Sequence, residues 1–469
     1  MTSGKNKLLT RVKMGYGLGT LSYGIPFQLI SACFVFYSTA VLGISGTLTG
    51  ALVSISTIWD AVTDPVMGYI SDHTSNKVPF GRRLFYVLIG AVGLALCTML
   101  IWQVDPKLPY SLKAVYLGLL LILLKTSSTI YATPYMALGA ELTSDYNERT
   151  AVQSYRTAFF FAGFMFPTIM GMLLFFKPTL EYANGQLNPQ AYASLALVTS
   201  IIVLVCAVIC TALSRHHIAP YTPPKAKRNP LKGIFKESAE ALKCADFRNV
   251  SLSLLFVNAA MSIVGSIGMH VFTYTFSFSN QQIAVVFGAL FLMAIVAQPV
   301  WTAIANKFEK KTAMIACLYI NIGVSVLFSV LVLISGYIAE HYLMVLPAAM
   351  LIGFSIGGSI SLPYSMITDT IDKDAYYSGT RKEGVFYGCA TFLFKLSQSL
   401  AVMFVGVMLD VIGFNSAAVQ SHDLYINMGM ILPAGFLACF IPALVFMKKY
   451  TLNRETVTKY QAKLNTDGS

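Results

Sequence analysis

Two aspartates, Asp60 and Asp64, lie in the otherwise apolar stretch ALVSISTIWDAVTDPVMGYI, residues 51–70. They are the only carboxylates that we place at membrane depth. Ionised carboxylates are costly in hydrocarbon, so they usually face a protein-lined cavity and mark the path of an ion or substrate. Four residues apart on a helix, the two side chains share one face and can offer oxygens to the same cation. The pair therefore predicts an ion-coupled membrane transporter.

The composition is that of a membrane protein. Of the 469 residues, 56% are hydrophobic and 12% are charged, whereas about 25% charged residues are typical of a soluble domain. Twelve apolar stretches reach the ~20 residues needed to cross the hydrocarbon core. They lie near 14–40, 47–70, 84–104, 114–138, 153–176, 193–214, 249–276, 281–305, 312–336, 341–367, 384–411 and 424–447. We therefore expect an all-α membrane protein with twelve transmembrane helices.

Basic residues are distributed very unevenly between successive loops. The N-terminus, every second loop and the tail hold 27 of the 33 Lys and Arg residues, and the opposite loops hold Lys107, Lys113 and Lys177. Because Lys and Arg accumulate on the cytoplasmic side, we expect both termini there. This topology explains the net charge of +12, so no nucleic-acid partner is expected.

The longest polar segment divides the chain into two halves of six predicted helices each. We predict an N-terminal bundle over 1–214, a cytoplasmic linker over 215–248, a C-terminal bundle over 249–447 and a cytoplasmic tail over 448–469. A short surface helix is expected at FKESAEALK in the linker. Two related six-helix bundles typically hold a transport site at their interface near mid-membrane. We expect a monomer.

Four motifs carry a resemblance to a known family. They are KMGYGLGTLSYG in the first helix, IWDAVTDPVMGYISDHTSNKVPFGRR at 58–83, PYMALGAEL and NERTAVQSYR from the end of the fourth helix to the start of the fifth, and LPYSMITDTIDKDAYYSGTRKEGVFYGCATFLFKLSQSL from the tenth helix to the eleventh. In their order along the chain they resemble the glycoside–pentoside–hexuronide cation symporters, a branch of the major facilitator superfamily that includes melibiose permease. The same segments resemble the vertebrate sodium-dependent lysolipid carriers.

The resemblance implies a major facilitator fold and a cation site. Asp60 and Asp64 match the family's cation-binding aspartates, and Thr129 in KTSSTIYATPY matches the fourth-helix threonine that helps to hold sodium. Hard cations favour carboxylate and hydroxyl oxygens. The coupling ion is then Na+ or H+, and no cofactor is expected. The alternative is a structural role, in which the aspartates pair with Arg156 or Lys125.

The chain departs from the melibiose permease pattern where that protein holds its sugar. Two aspartates that grip sugar hydroxyls are replaced by Gly24 and Ala132, and a tryptophan that stacks near the sugar is replaced by Met136. The galactoside-type grip is therefore missing. Basic residues of the family's cavity remain at Arg156 and Lys395.

Three basic residues, Arg156, Lys395 and Lys125, lie within predicted spans. If a cation occupies the aspartate pair, the cavity has surplus positive charge, which an anionic substrate would relieve. We therefore expect an acidic solute, such as a uronate, a sulfo-sugar or a lysolipid phosphate. Alternatively, Lys125 snorkels or faces a neighbouring helix, and Arg156 pairs with an aspartate in one gating state.

Several polar and aromatic residues lie on helices expected to line the cavity. These substrate-binding candidates are Tyr23, Gln28, Tyr131, Tyr135, Tyr364 and Gln398. For any single one of them, ordinary helix packing is the alternative interpretation.

The loop GYISDHTSNKVPFGRR resembles the superfamily's gate motif. Its gating candidates are Gly68, Asp72, Gly81, Arg82 and Arg83. The corresponding segment of the second half, ANKFEKKTA, is degenerate. Loop charges of this kind can latch one side of a transporter in one state, although the arginines could serve orientation alone.

Other function classes have less support. No Walker motif or H-E-x-x-H occurs in the sequence, so we expect neither an ATP-driven pump nor an enzyme. A non-transporting sensor would normally carry a signalling domain, which we do not expect in the short tail after Met447. We conclude that the sequence predicts a cation-coupled sugar symporter of a bacterial inner membrane, with membrane lipid as its surroundings. The main alternative is a sodium-coupled lysophospholipid carrier.

Overall fold

The structure, a computed structural model, describes residues 8–74, 78–143, 146–215, 240–379, 382–415 and 421–467. The chain divides into two compact units, Met1–Arg228 and Asn229–Ser469. The described residues form helices and no strand, which confirms the all-α prediction. Most of the predicted linker and of its surface helix lies outside the described residues.

Unit 1 contains six long helices. They are α1 (Thr10–Leu29, continued by π-helical turns Ile30–Phe34 and Tyr37–Val41), α2 (Gly46–His73), α3 (Arg82–Ile101), α4 (Tyr110–Glu141), α5 (Tyr146–Met165, continued by Phe166–Phe175) and α6 (Pro189–Ser214). Capping residues in the sequence determine where several of these helices begin. Ser45 caps α2 by accepting a hydrogen bond from the Leu48 N–H, and Asn188 caps α6 in the same way.

Unit 2 repeats this pattern and adds a helix after it. Its elements are α7 (Ala245–His270, continued by Val271–Thr275), α8 (Asn280–Phe308), α9 (Lys310–Leu333), a short helix Ser335–Glu340, α10 (Leu346–Ser378), α11 (Glu383–Val411), α12 (His422–Lys448) and the tail helix α13 (Arg454–Asp467). Ser279 and Gln282 form a reciprocal capping box at the start of α8. Gly379, with φ of +68°, ends α10 in the left-handed conformation.

Ten of the long helical segments in the described residues are long and apolar enough to cross a membrane. The segments 10–41 and Gly46–His73 are not among these ten. The second of them carries Asp60, Asp64 and Asp72, so its composition is less apolar even though its length is sufficient. This lower hydropathy is the expected signature of a helix that carries charge to a protein-lined site.

The pair α2 and α4 forms the frame of the candidate site. Residues successively further along α2 contact residues successively further along α4, from Leu52 against Gly118 to Gly68 against Thr133. The two helices therefore run in the same direction. Side chains one turn apart on α2 consequently meet side chains one turn apart on α4.

Helix α3 packs close to α4 because Gly90 has no side chain to stand between the two helices. A Cβ atom on Gly90 would lie 2.6 Å from the backbone nitrogen of Tyr131. A backbone atom of a packed helix cannot move aside as a flexible side chain can. Small residues of this kind let membrane helices pack at short distance.

The tail helix is bound to the end of unit 2 from which it emerges. Asp246, at the start of α7, accepts hydrogen bonds from Lys373 Nζ (2.6 Å) and from the Thr451 N–H (2.7 Å). Gln461 donates to Asp372 at 2.8 Å. The polar tail is thus part of the folded unit.

We expect Gly90→Ala to lower the free energy of unfolding by about 1–3 kcal/mol, because the new methyl group overlaps the α4 backbone. The measurement is the unfolding temperature of the purified protein in detergent.

Gly323→Ala is the matched control, since a Cβ on this α9 residue meets nothing within 4 Å. It should leave stability unchanged or raise it by up to ~1 kcal/mol, the helix-propensity gain. Equal effects of the two substitutions would contradict the proposed close approach.

Candidate functional site

The side chains of Asp60 and Asp64 converge on one hydroxyl group of α4. Thr129 Oγ1 lies 2.7 Å from Asp60 Oδ1 and 2.9 Å from Asp64 Oδ1. The spacing of four residues puts both carboxylates on the same face of α2, and that face packs on α4. One hydroxyl proton serves two carboxylate oxygens, so the two carboxylates are held within reach of a single small cation.

Thr63 belongs to the same cluster and was not singled out from the sequence. Its Oγ1 lies 3.3 Å from Thr129 Oγ1 and 3.3 Å from the backbone oxygen of Asp60. Thr63 directly precedes Asp64 and lies three residues after Asp60, a spacing that shares a helix face. This position on the aspartate face of α2 is the sequence signal that marks Thr63 as a member of the cluster.

The four side chains form a set of oxygen donors. Carboxylate and hydroxyl oxygens are the ligands that hard cations such as Na+ prefer. Two nearby carboxylates repel each other unless a proton or a cation lies between them. The cluster is therefore chemically suited to take up one monovalent cation or one proton.

Lys125 lies next to the two aspartates and the two threonines. Its Nζ lies 4.0 Å from Asp60 Oδ2 and 5.8 Å from the centre of the Phe27 ring. Both Lys125 and Asp60 are 8% exposed. The pairing with Lys125 that the sequence left open as an alternative is thus present beside the predicted cation site, whereas Arg156 forms no ion pair within the described ranges.

Tyr131 and Tyr135 lie in the packing between α1 and α4. Both are 0% exposed. The Tyr131 hydroxyl donates to the Gly19 carbonyl oxygen (2.6 Å), and the Tyr135 hydroxyl donates to the Tyr16 carbonyl oxygen (2.5 Å). These positions favour the helix-packing interpretation over direct contact with a solute.

The other residues suggested for substrate binding in unit 1 lie on α1 and α5. Gln28 is buried and donates to Thr168 Oγ1 at 3.0 Å. Tyr23 is half-buried, with its ring 6.0 Å from that of Phe160. Arg156 is half-buried. Tyr23 and Arg156 are thus more exposed than Gln28, Tyr131 and Tyr135, and their role in binding stays a prediction.

Gly24 replaces the first of the two sugar-gripping aspartates in the resemblance to melibiose permease, and it has an aromatic neighbour. A Cβ on Gly24 would lie 3.8 Å from Phe160 Cδ2, in ordinary contact. An apolar ring thus borders the position at which melibiose permease has a carboxylate.

In unit 2, three predicted substrate residues lie on α10 and α11. Lys395 is half-buried, Gln398 is 9% exposed and Tyr364 is 37% exposed. Lys395 and Gln398 are three residues apart on α11, so they share a face. Tyr364 follows Pro363 inside α10. The role of these residues in binding stays a prediction.

The gating candidates form an ion-pair network at one end of unit 1. Arg82 and Arg83 are the first residues of α3, and both pair with Glu141 at the end of α4 and with Asp72 near the end of α2. Arg83 lies 2.9 Å from each partner. Glu141 was not among the residues singled out, although it stands in the PYMALGAEL motif. The network ties three helix ends together.

The two glycines of this motif have different surroundings. Gly81, with φ of +86°, directly precedes α3 and adopts a conformation that favours glycine. Gly68 faces α4, where a Cβ would lie 3.6 Å from Thr133. Gly81 thus turns the chain so that both arginines enter the network.

Unit 2 has an ion pair at the corresponding place despite its degenerate sequence. Lys310, the first residue of α9, lies 2.7 Å from Asp369 on α10. In unit 1 the same relation joins Arg82 on α3 to Glu141 on α4. The charge arrangement is therefore kept in both units, although the residue types differ.

Comparison with known proteins identifies the family of the chain. The sequence pattern of the family described as MFS/sugar transport protein matches residues 15–454. The inner membrane symporter YicJ of Escherichia coli (strain K12) is 22% identical over 97% of this chain and 95% of its own length. The putative glycoside/cation symporter YagG of the same strain is 26% identical over 94% and 90%. The human sodium-dependent lysophosphatidylcholine symporter 1 is 24% identical over 86% and 76%.

Solved structures agree on the fold. A bacterial homologue of the human lysosomal transporter Spinster superposes with a TM-score of 0.70 at 13% identity, covering 97% of this chain and 99% of that one. The nucleoside transporter NupG gives a TM-score of 0.61 at 11% identity, covering 95% and 100%. At sequence identities this low, the structural similarity establishes the fold alone. It confirms the predicted major facilitator architecture. Because the family pattern runs from α1 to the start of the tail helix, this chain is a multi-pass membrane protein that belongs to the MFS/sugar transport protein family.

Proposed function

We propose that this protein is a symporter that couples the entry of Na+ or H+ to the import of a sugar-like solute. The observation that carries the proposal is the convergence of Asp60, Asp64 and Thr129 oxygens between two helices. Relatives along nearly the whole chain are named symporters, and YagG is named as a glycoside/cation symporter. An oxygen cluster for one cation is what such coupling needs.

Transport then follows by alternating access. Cation and solute each favour the state that binds the other, and this reciprocal coupling is commonly ~1–3 kcal/mol. The two bundles, 1–214 and 249–447, are the moving parts in this scheme, and the arginine network of unit 1 is a latch that opens in one state. The distribution of Lys and Arg supports cytoplasmic termini, and relationship to YicJ supports a bacterial inner membrane.

We further propose that the solute is acidic, for example a uronate or a sulfo-sugar. Arg156 is half-buried and in no ion pair within the described ranges. Its guanidinium can form two parallel hydrogen bonds with a carboxylate or sulfonate. Gly24 and Ala132 supply none of the carboxylates that would grip a neutral galactoside.

A lysophospholipid is the second candidate solute. The rings of Phe27, Phe160 and Phe164 form an aromatic cluster, with Phe160 and Phe164 centred 4.4 Å apart and Phe27 and Phe164 5.6 Å apart. Such a surface suits an acyl chain, while Arg156 suits a phosphate. The relationship to the human lysophosphatidylcholine symporter supports this alternative equally.

Asp64→Asn should abolish the stabilisation of the purified protein by sodium and the gradient-driven accumulation of solute, because the cation needs the carboxylate charge. The measurements are the unfolding temperature against NaCl at constant ionic strength and uptake into proteoliposomes, in which methyl β-D-glucuronide is the labelled probe. Asp105→Asn, which alters a carboxylate in an exposed loop, is the control and should behave as wild type. Undiminished sodium- or proton-driven uptake by the Asp64 variant would remove the cation-site assignment.

Arg156→Ala should weaken binding of an acidic glycoside by roughly 1.5–3 kcal/mol, the loss of a charge-assisted hydrogen bond. Arg156→Lys should restore it only in part, because the planar fork is absent. Isothermal titration with methyl β-D-glucuronide gives the dissociation constants, and Lys177→Ala in an exposed loop controls for net charge. Wild-type affinity in both Arg156 variants would leave this residue a packing or gating role.

The solute class is tested with three probes at fixed sodium and pH: methyl β-D-glucuronide, methyl β-D-glucoside and lysophosphatidylcholine. We expect counterflow with the glucuronide to exceed that with the glucoside by about tenfold or more, since one charge-assisted bond contributes over ~1.4 kcal/mol. Lys395→Ala should reduce this preference more than it reduces binding of the glucoside. A preference for the neutral glucoside contradicts the acidic-solute proposal, and counterflow of lysophosphatidylcholine alone would establish the second candidate.

A further inference from the structure

Lys125 stands beside the cation cluster with its charge directed at one of the two carboxylates. It lies one helical turn before Thr129 on α4, so both side chains face α2. The two oxygens of Asp60 are divided between them: Oδ1 accepts from Thr129 at 2.7 Å, and Oδ2 lies 4.0 Å from Lys125 Nζ. One carboxylate thus serves the predicted cation site and a fixed positive charge at once.

The charges of these groups suggest what Lys125 does. Asp60, Asp64 and Lys125 together carry a net charge of minus one. One bound monovalent cation makes the cluster neutral, whereas without the lysine the loaded cluster would still carry one negative charge. Uncompensated charge is unfavourable inside a membrane protein. The lysine therefore balances the cluster in the form that holds one cation.

The same charge weakens cation binding. The ammonium group and a cation bound between Asp60 and Asp64 would be close neighbours in a site shielded from water, since Lys125 and Asp60 are each 8% exposed. Two positive charges that lie close together in a site shielded from water repel each other more strongly than they would in bulk water. The Phe27 ring, 5.8 Å from Nζ, supplies a further attraction that holds the ammonium in place.

We propose that Lys125 is a resident counter-ion that shares Asp60 with the transported cation and lowers the affinity for that cation. This inference rests on the proposed cation site. A low affinity fits the transport cycle, because an ion that binds outside must also leave inside. Lys125 is accordingly a residue that sets coupling, and its side chain need not touch the solute.

The test measures the unfolding temperature of the purified full-length protein against NaCl, with choline chloride keeping the ionic strength constant at one pH. Lys125→Met removes the charge and keeps an apolar chain of similar length. Lys125→Arg keeps the charge. Lys113→Met is the matched control, because Lys113 is also a buried lysine of α4 but donates to the carbonyl oxygens of Leu42 and Pro106.

In Lys125→Met we expect the sodium concentration for half-maximal stabilisation to fall about tenfold or more, since a nearby repelling charge is lost. Lys125→Arg should stay near the wild-type value, and Lys113→Met should change the baseline stability without changing the sodium midpoint. A gain of sodium response in Lys125→Met, where wild type has none, would equally support the inference.

Three outcomes would overturn the inference. If wild type responds to sodium and Asp64→Asn does not, the cation site stands, and an unchanged midpoint in Lys125→Met disproves the role of Lys125 alone. If neither wild type nor Lys125→Met responds to sodium, the sodium site and the resident counter-ion fail together. A midpoint shift of the same size in Lys113→Met would show a general effect of charge and also count against the inference.

Discussion

The cost of holding two carboxylates among apolar helices governs the organisation of unit 1. Asp60 and Asp64 need partners that water would otherwise supply. Thr129 gives a hydroxyl to both, and Lys125 gives a charge to Asp60. These partners come from one helix, so α2 and α4 must run in the same direction and stay in register. Even a shift by one residue would rotate the oxygens away from one another, so the helix packing and the chemistry of the cluster constrain each other.

That register depends on the packing behind α4. Gly90 lets α3 approach the backbone of Tyr131, and the Tyr131 and Tyr135 hydroxyls bind carbonyl oxygens of α1. The α4 helix is thereby fixed on the sides away from α2. Buried tyrosines satisfied in this way combine a large apolar area with a defined hydrogen bond. They belong to the support of the cluster, and a solute would find their hydroxyls already engaged.

At one end of each unit, a basic residue that begins a helix pairs with an acidic residue on the next helix. In unit 1 Arg82 and Arg83 meet Glu141, and in unit 2 Lys310 meets Asp369. Arg82 and Arg83 are 1% and 7% exposed, so they are as shielded from water as Asp60, which is 8% exposed. Separating buried charges from their partners is costly, so the network holds the ends of α2, α3 and α4 firmly together.

The sequence by itself determined the helix order, the family resemblance and the aspartate pair, because apolar length and helical periodicity are local properties of the chain. It also named Thr129, but only through the resemblance. The tertiary structure decided which groups meet. It added Thr63 and Glu141, chose Lys125 over Arg156 as the neighbour of Asp60, and put Tyr131 and Tyr135 into helix packing. Contacts between helices far apart in the chain depend on packing register, and no local pattern encodes that register.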